Sequence, residues 1–398
     1  MTEPSLRSGA DDADRAVTEV ERRPRWRRLL GPAVGLTVVI ATFGFVLPKV
    51  ADYASVWATI QTLSWEAVAV LVVVSAWNLA SVGPILKTAF PGLRFWEAMA
   101  VAQTGTALSS ALPGGEVVAY GMVYRMYRSF RLSVSEVAQG LVISGMFDNL
   151  AKFSMPVIAF ICIRITGDSS DGLGVVALIG LGLLVGMIVL AVGVLRSEDF
   201  ARKWGDRAQR WSARPMGWLK KPPLEDFGER VVEFRRESIG LLRSRWALLT
   251  FGGYLSELSV YLVLLVSVRV VGVTEDQVSW SLVLASFSLV RILQSVPITP
   301  GGIGVVELGL TGALVASGGD NASVVAGVLV YRALTWLPPL VLGPFFYGGW
   351  RLWLRRQGIE EPSAAEVPTH DQLVAEVEEE GLEAFAERDP AHDGPPRP

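Results

Sequence analysis

Long apolar runs separated by short polar connections dominate the chain. They fall at about residues 29–48, 65–86, 95–112, 134–165, 173–195, 246–273, 279–297 and 322–350. A membrane span needs about 20 apolar residues at about 1.5 Å rise each. The run LGVVALIGLGLLVGMIVLAVGVL at 173–195 carries no charge at all, a pattern that a water-facing helix does not need. Its Gly182 and Gly186 form a GxxxG spacing that would let a neighbouring helix approach closely. The first run follows Arg22, Arg23, Arg25, Arg27 and Arg28 and resembles a signal sequence. The polar leader is long for a signal and no small-x-small site follows, so a retained first helix is expected. The pattern predicts an all-α polytopic membrane protein.

Two segments repeat a pattern inside this framework. ALSSALPGGEVVAYGMVYR at 107–125 and QSVPITPGGIGVVELGLTG at 294–312 each run an apolar helix into Pro-Gly-Gly and out into a second one. Pro113 and Pro300 break their helices, and Gly114, Gly115, Gly301 and Gly302 permit a sharp reversal. Helices are expected to restart at Gly114 and Gly301, with free N–H groups and positive dipole ends inside the membrane. An arm of about 17 residues is about 25 Å long, enough to pass the midplane or nearly cross.

Charge decides how these hairpins are oriented. The net charge of −3 conceals a cancellation: residues 357–398 hold twelve acidic and two basic residues, leaving +7 on residues 1–356. Residues 1–21, with six acidic and two basic residues, read as a disordered start. Lys and Arg mark the cytoplasmic side of membrane proteins. The segment 196–245 carries thirteen basic against eight acidic residues and is expected to be a cytoplasmic loop facing anionic lipid headgroups. Lys87 and Arg94, Arg125, Arg128 and Arg131, and Arg351, Arg355 and Arg356 fall on the same side. Asp168 and Asp171, Glu275 and Asp276, and Asp320 mark the opposite one. The first hairpin then has both ends cytoplasmic and the second has both ends external. The result is about six full spans plus two re-entrant Pro-Gly-Gly hairpins in an inverted repeat, the plan of many transporters. Repeat 1 covers about 65–165, a linker span 173–195, and repeat 2 about 246–350. These lie within a membrane domain 29–354, between a disordered N-terminus 1–28 and an acidic tail 355–398. Both termini are expected in the cytoplasm of a bacterial cell, with the domain in its plasma membrane.

Composition restricts the chemistry. The chain is 51% hydrophobic and 19% charged, more apolar and less charged than the roughly 45–50% and 25% of soluble domains. Cys162 is alone, which excludes an internal disulfide, and both histidines, His370 and His392, lie in the tail. The membrane body is left with carboxylates, Arg, backbone and shape; no cofactor, metal or nucleic-acid partner is expected. Within the apolar runs lie Glu116, Asp148, Lys152, Glu257, Arg291, Glu307 and Arg332. Each would cost about 2.5–3.5 kcal/mol at a bilayer-exposed helix centre, and together roughly 20 kcal/mol. They must pair, cap backbone or line a wet cavity. Asp148 and Lys152, four apart, can neutralise each other. Glu116 can offset a helix dipole just after Pro113. Glu307 is placed too far from Pro300 for that role. Arg291 and Arg332 need Glu307, Glu257, Asp148 or a ligand.

With ALPGG, ITPGGIGVVE and VYRALTWLPPLVLG (330–343), residues 30–355 resemble the lysylphosphatidylglycerol synthase transmembrane region, a flippase-like integral membrane family. Pro113, Gly114, Gly115 and Glu116 carry the likeness in the first half, and Pro300, Gly301, Gly302, Glu307 and Arg332 in the second. The resemblance implies re-entrant helices and, as in multiple peptide resistance factors, movement of lysylphosphatidylglycerol between leaflets. Those larger relatives add an aminoacyl-transferase domain where this chain continues as a polar tail, so lipid synthesis is not expected. Other members accompany glycosyltransferases, which keeps a polyprenyl-phosphate sugar open as substrate. Three classes remain: a flippase or scramblase for a phospholipid or related anionic lipid, a membrane enzyme acting on a lipid carrier, and a scaffold for a partner transferase. Homo-oligomerisation also remains open. The apolar runs contain no P-loop or dinucleotide-binding motif.

Overall fold

Helix caps and prolines set the boundaries of the elements. The computed structural model describes residue 61 and residues 63–111, 115–168, 173–218, 227–294 and 302–359. The expected helix at 29–48, both acidic ends, Pro113, Gly114, Pro300 and Gly301 lie outside them. Among the described residues the chain is helical, without strands: α1 (Trp65–Ser81), α2 (Gly83–Ala89), α3 (Phe95–Ala111), α4 (Gly115–Ser129), α5 (Val134–Thr166), α6 (Leu173–Arg196), α7 (Glu198–Trp218), α8 (Phe227–Val270), α9 (Trp280–Gln294), α10 (Val305–Ala316) and α11 (Asn321–Gln357). Trp65–Ala89, Val134–Thr166, Leu242–Val270 and Asn321–Gln357 are each long and apolar enough to cross a membrane. The second hairpin's arms, 15 and 12 residues, rise about 22 and 18 Å, short of the about 30 Å hydrocarbon layer.

The two halves start their last spans alike. Ser133 caps α5 by accepting from the Glu136 N–H (3.1 Å), while Glu136 accepts from Ser133 (2.8 Å). Asp320 caps α11 by accepting from the Ser323 N–H (3.0 Å). Ser133 and Asp320 are 187 positions apart, the same separation as Pro113 and Pro300.

Two buried clusters lie at opposite ends of the long helices. One joins α2, α3 and α4 to the start of α5 (Val137, Ile143) and the end of α11 (Trp350, Leu354). The other joins α9 and α10 to the end of α5 (Ala159, Ile163) and the start of α11 (Val324, Val328). Helices α5 and α11 therefore run in opposite directions between the clusters, and each hairpin sits at its own end. The packing is reciprocal: α3 packs on α11, and α9 packs on α5. This is the arrangement the inverted repeat demands.

Close approaches depend on missing side chains. A Cβ on Gly252 would meet the Ile85 backbone at 2.9 Å, and one on Gly253 the Phe147 carbonyl at 2.8 Å, so α8 slots between α2 and α5. The GxxxG expectation fares differently. Nothing described lies within 4 Å of a Cβ at Gly182 or Gly186, so that face of α6 receives no helix among the described residues. Pro338 lacks the N–H that would engage the Leu334 carbonyl; the Ser75 hydroxyl on α1 donates to it instead (2.9 Å).

The segment 196–245 is not a loop. Its described residues 198–218 and 227–245 form α7 and the first part of α8, packed side by side. Ala201 and Gly205 are buried, while Arg202, Lys203, Asp206 and Arg207 are exposed, a four-residue period inside a charge-rich segment. Arg235 fastens the turn between α6 and α7, donating from Nε to the Leu195 carbonyl (3.1 Å) and from Nη1 to Glu198 (2.9 Å).

Candidate functional site

The charges at mid-bundle converge where the second hairpin meets α8 and α11. Glu257 lies near the middle of the α8 span and is 1% exposed. Arg291 on α9 grips it with two donors: Nε to Oε2 at 2.9 Å, and Nη2 to Oε1. Its Nη1 also donates to Gln294 Oε1 (3.0 Å), one turn on. A bidentate guanidinium–carboxylate pair is the geometry that best tolerates burial.

The second pair is built at the hairpin tip. Gly302 (φ 68°) and Gly304 (φ 87°) are both left-handed, a backbone that side chains resist, and α10 starts at Val305. The expected restart at Gly301 is thus four residues too early. That delay brings Glu307 into the first turn, correcting its assignment as too distant to cap. Glu307 Oε2 accepts from the Gly304 N–H (2.7 Å), and its Oε1 accepts from Arg332 Nε on α11 (2.8 Å). One carboxylate thus satisfies an unpaired helix-start N–H and pairs with a distant Arg. Its exposure is 3%.

Tyr331 lies between the pairs, 3% exposed and within electrostatic reach of Arg291, Arg332, Glu257 and Glu307. On α5, Lys152 donates to Asp148 (3.2 Å), the single-helix pair expected from the spacing. Asp148 also acts on Arg291 through space. The structure therefore brings Glu257, Arg291, Glu307 and Arg332 together around Tyr331, with the Asp148–Lys152 pair on the neighbouring α5. Of the first hairpin's motif, Pro113 and Gly114 lie outside the described residues. Gly115 is the first, buried residue of α4, whereas the side chain of Glu116 lies outside what is described.

Gln294 was not singled out by sequence, although a lone amide three residues beyond Arg291 in an apolar run was a usable signal. Glu97 was missed as well. It is 7% exposed and accepts from the Arg94 N–H (2.7 Å) at the start of α3, and an acid in a helix's first turn is the signal that marks it. Outside the spans, Asp168 receives the hydroxyls of Ser279 (2.6 Å), Ser281 and Thr166 (2.7 Å), joining the end of α5 to the start of α9. Those donors, Ser279 foremost, hold its carboxyl below the usual carboxylate range.

Chemically, the network offers guanidiniums, carboxylates and a phenol. Among the described residues no three His, Cys, Asp or Glu gather as metal ligands. Arg recognises phosphate as readily as carboxylate, with the same two-pronged geometry. No curated protein matches the chain. Residues 31–343 match the family described as the lysylphosphatidylglycerol synthase TM region, a stretch that includes both hairpins, both Arg–Glu pairs and most of the last span. Membrane-embedded and connected through that family with lipid modification or transport, this chain belongs to the lysylphosphatidylglycerol synthase transmembrane-region family.

Proposed function

We propose that the protein is a transporter rather than an enzyme, moving a phospholipid with an anionic phosphate, such as an aminoacylated phosphatidylglycerol, between leaflets. The observation that carries this reading is the pair of buried Arg–Glu bridges beside a broken re-entrant helix at mid-bundle. In the resting state each guanidinium holds a carboxylate, and the charges cancel. A lipid phosphate reaching the tip substitutes for Glu257 or Glu307 as the partner of Arg291 or Arg332. The released carboxylate accepts a headgroup amine or hydroxyl. The exchange conserves the number of charge-assisted bonds, so the headgroup meets no uncompensated charge on its way. Equilibration between leaflets then needs no nucleotide.

The excess of Lys and Arg supports assigning the basic end of the bundle, with α7 and the start of α8, to the cytoplasmic side of a bacterial plasma membrane. The test is leaflet exchange of headgroup-labelled phosphatidylglycerol in proteoliposomes. Wild-type protein is expected to equilibrate the label. The triple substitution Arg291→Gln, Glu307→Gln, Arg332→Gln is expected to abolish exchange while the protein still reconstitutes. Exchange that survives in the triple variant defeats the reading. A lipid recovered chemically altered places the protein among enzymes instead.

A further inference from the structure

A second lipid-contacting feature lies on the opposite face of α5 from Asp148 and Lys152. A cleft of about 380 Å³ opens between α5, α6 and α8, lined by Leu150 from α5, Ile188 and Val192 from α6 and Leu242 from α8, with Arg243 and Trp246 also on its wall. The volume lies within the range of small-ligand cavities. Its lining is apolar except for Arg243. Arg243 and Trp246 occupy the first turns of the α8 span, and Trp246 is 61% exposed. An exposed Trp at a span end is the usual mark of the membrane–water boundary.

The surroundings of this mouth are positively charged. Arg235 and Arg236, two turns before Arg243, share the single carboxylate of Glu198. Among the described residues no acid pairs with Arg243, which is exposed. Residues 235–245 hold four Arg against Glu237, and with Glu198 counted a local excess of positive charge remains where an apolar slot meets the interface.

We propose that this cleft is a binding site for one anionic phospholipid, with an acyl chain in the slot and the phosphate on Arg243. The site is peripheral, separated by α5 from the ion-pair network, and stands independently of transport. The chemistry selects the occupant: a zwitterionic lipid fills the slot equally well and also carries a phosphate, but its headgroup cation is repelled by the basic mouth and cancels the gain. One basic side chain at a membrane surface contributes about fivefold in preference for an anionic lipid.

The full chain, reconstituted with phospholipids brominated on the acyl chains, provides the test. The Trp246 contribution to fluorescence is the difference between wild type and Trp246→Phe. Brominated phosphatidylglycerol is expected to quench it at about fivefold lower mole fraction than brominated phosphatidylcholine. Arg243→Gln, at an exposed position, is expected to erase that difference, and Val192→Phe, filling the slot, to lower quenching by both lipids. Equal quenching by the two lipids in wild type overturns the site as non-selective lipid contact. An absence of quenching overturns it as a cleft covered by protein. Leaflet exchange in the same vesicles is read separately: a selective site without exchange sinks the transport reading alone.

Discussion

The first hairpin, α3–α4, closes on aromatic rings, whereas the second, α9–α10, closes on charge. Phe90 stacks on Tyr127 at 4.3 Å, and Trp96, Phe130 and Trp353 meet one another at 5.3–5.8 Å. Trp350, fully buried, donates its indole N–H to Ser129 (2.8 Å). Counting back 187 positions from Glu257, Arg291, Glu307 and Arg332 leads to Val70, Thr104, Tyr120 and Gly145. The backbone plan is shared: in each hairpin a glycine on one arm lets the other close, with a Cβ on Gly105 or Gly309 reaching 2.9 Å from Val123 or Val290. An inverted repeat thus keeps its architecture in both halves while, among the described residues, the two interhelical Arg–Glu bridges lie in the second. A second set of such bridges would double their desolvation cost.

The comparison can be broken most forcefully at its two anchors. Arg332→Met leaves Glu307 buried without its partner and is expected to destabilise by about 3–5 kcal/mol, measured by thermal unfolding in detergent. The double variant Arg332→Met, Glu307→Gln removes the stranded charge yet keeps an oxygen for the Gly304 N–H. It is expected to recover part of that stability while remaining inactive in leaflet exchange. Trp350→Ala is expected to cost about 3–5 kcal/mol as well, through the cavity it leaves. The folded fraction should retain exchange, because Trp350 packs in the first hairpin's cluster, away from the mid-bundle ion pairs. If both anchors affect exchange equally, the assignment of distinct roles to the two hairpins fails.

Smaller effects sharpen the contrast. Gly343→Ala pushes a methyl towards the Gln103 carbonyl, 2.9 Å away on α3, and against Ala107, so about 1–3 kcal/mol is expected. Gly309→Ala meets the methyl groups of Val290 and no backbone, and should cost less in the same unfolding assay. The smallest effect concerns the base of the second hairpin. The folded pKa of Asp168 lies below its unfolded value, so its contribution is present above about pH 4 and lost as pH falls through the folded pKa. Unfolding midpoints of wild type and Asp168→Asn are therefore expected to converge as the pH drops below about 4. A constant gap across that range removes Asp168 as the source.

Much of the membrane body was legible because its signals are local. Apolar runs predicted the spans, and the Asp148–Lys152 pair followed from one turn of helix. Pro-Gly-Gly with charge bias predicted hairpins at opposite ends, which the two buried clusters reproduce. Helix α7 was hidden because a charge-dense segment masks a short buried stripe such as Ala201 and Gly205. The GxxxG on α6 meets no neighbour among the described residues, since spacing permits a close approach without supplying one, while Gly252 and Gly253, with no such spacing, make one.

The sequence by itself determined that the body is helical and apolar, that its halves repeat, and that seven charges in membrane runs required partners. Only the tertiary structure decided the partners. Arg291 and Glu257 are 34 positions apart and Arg332 and Glu307 are 25 apart. Helical periodicity relates residues one or two turns from each other and carries no information across such distances. Tertiary packing also started α10 three residues after the Pro-Gly-Gly, turning Glu307 into both cap and counterion. Where a charge sits along a chain fixes how costly its burial is; what offsets that cost depends on which helices meet.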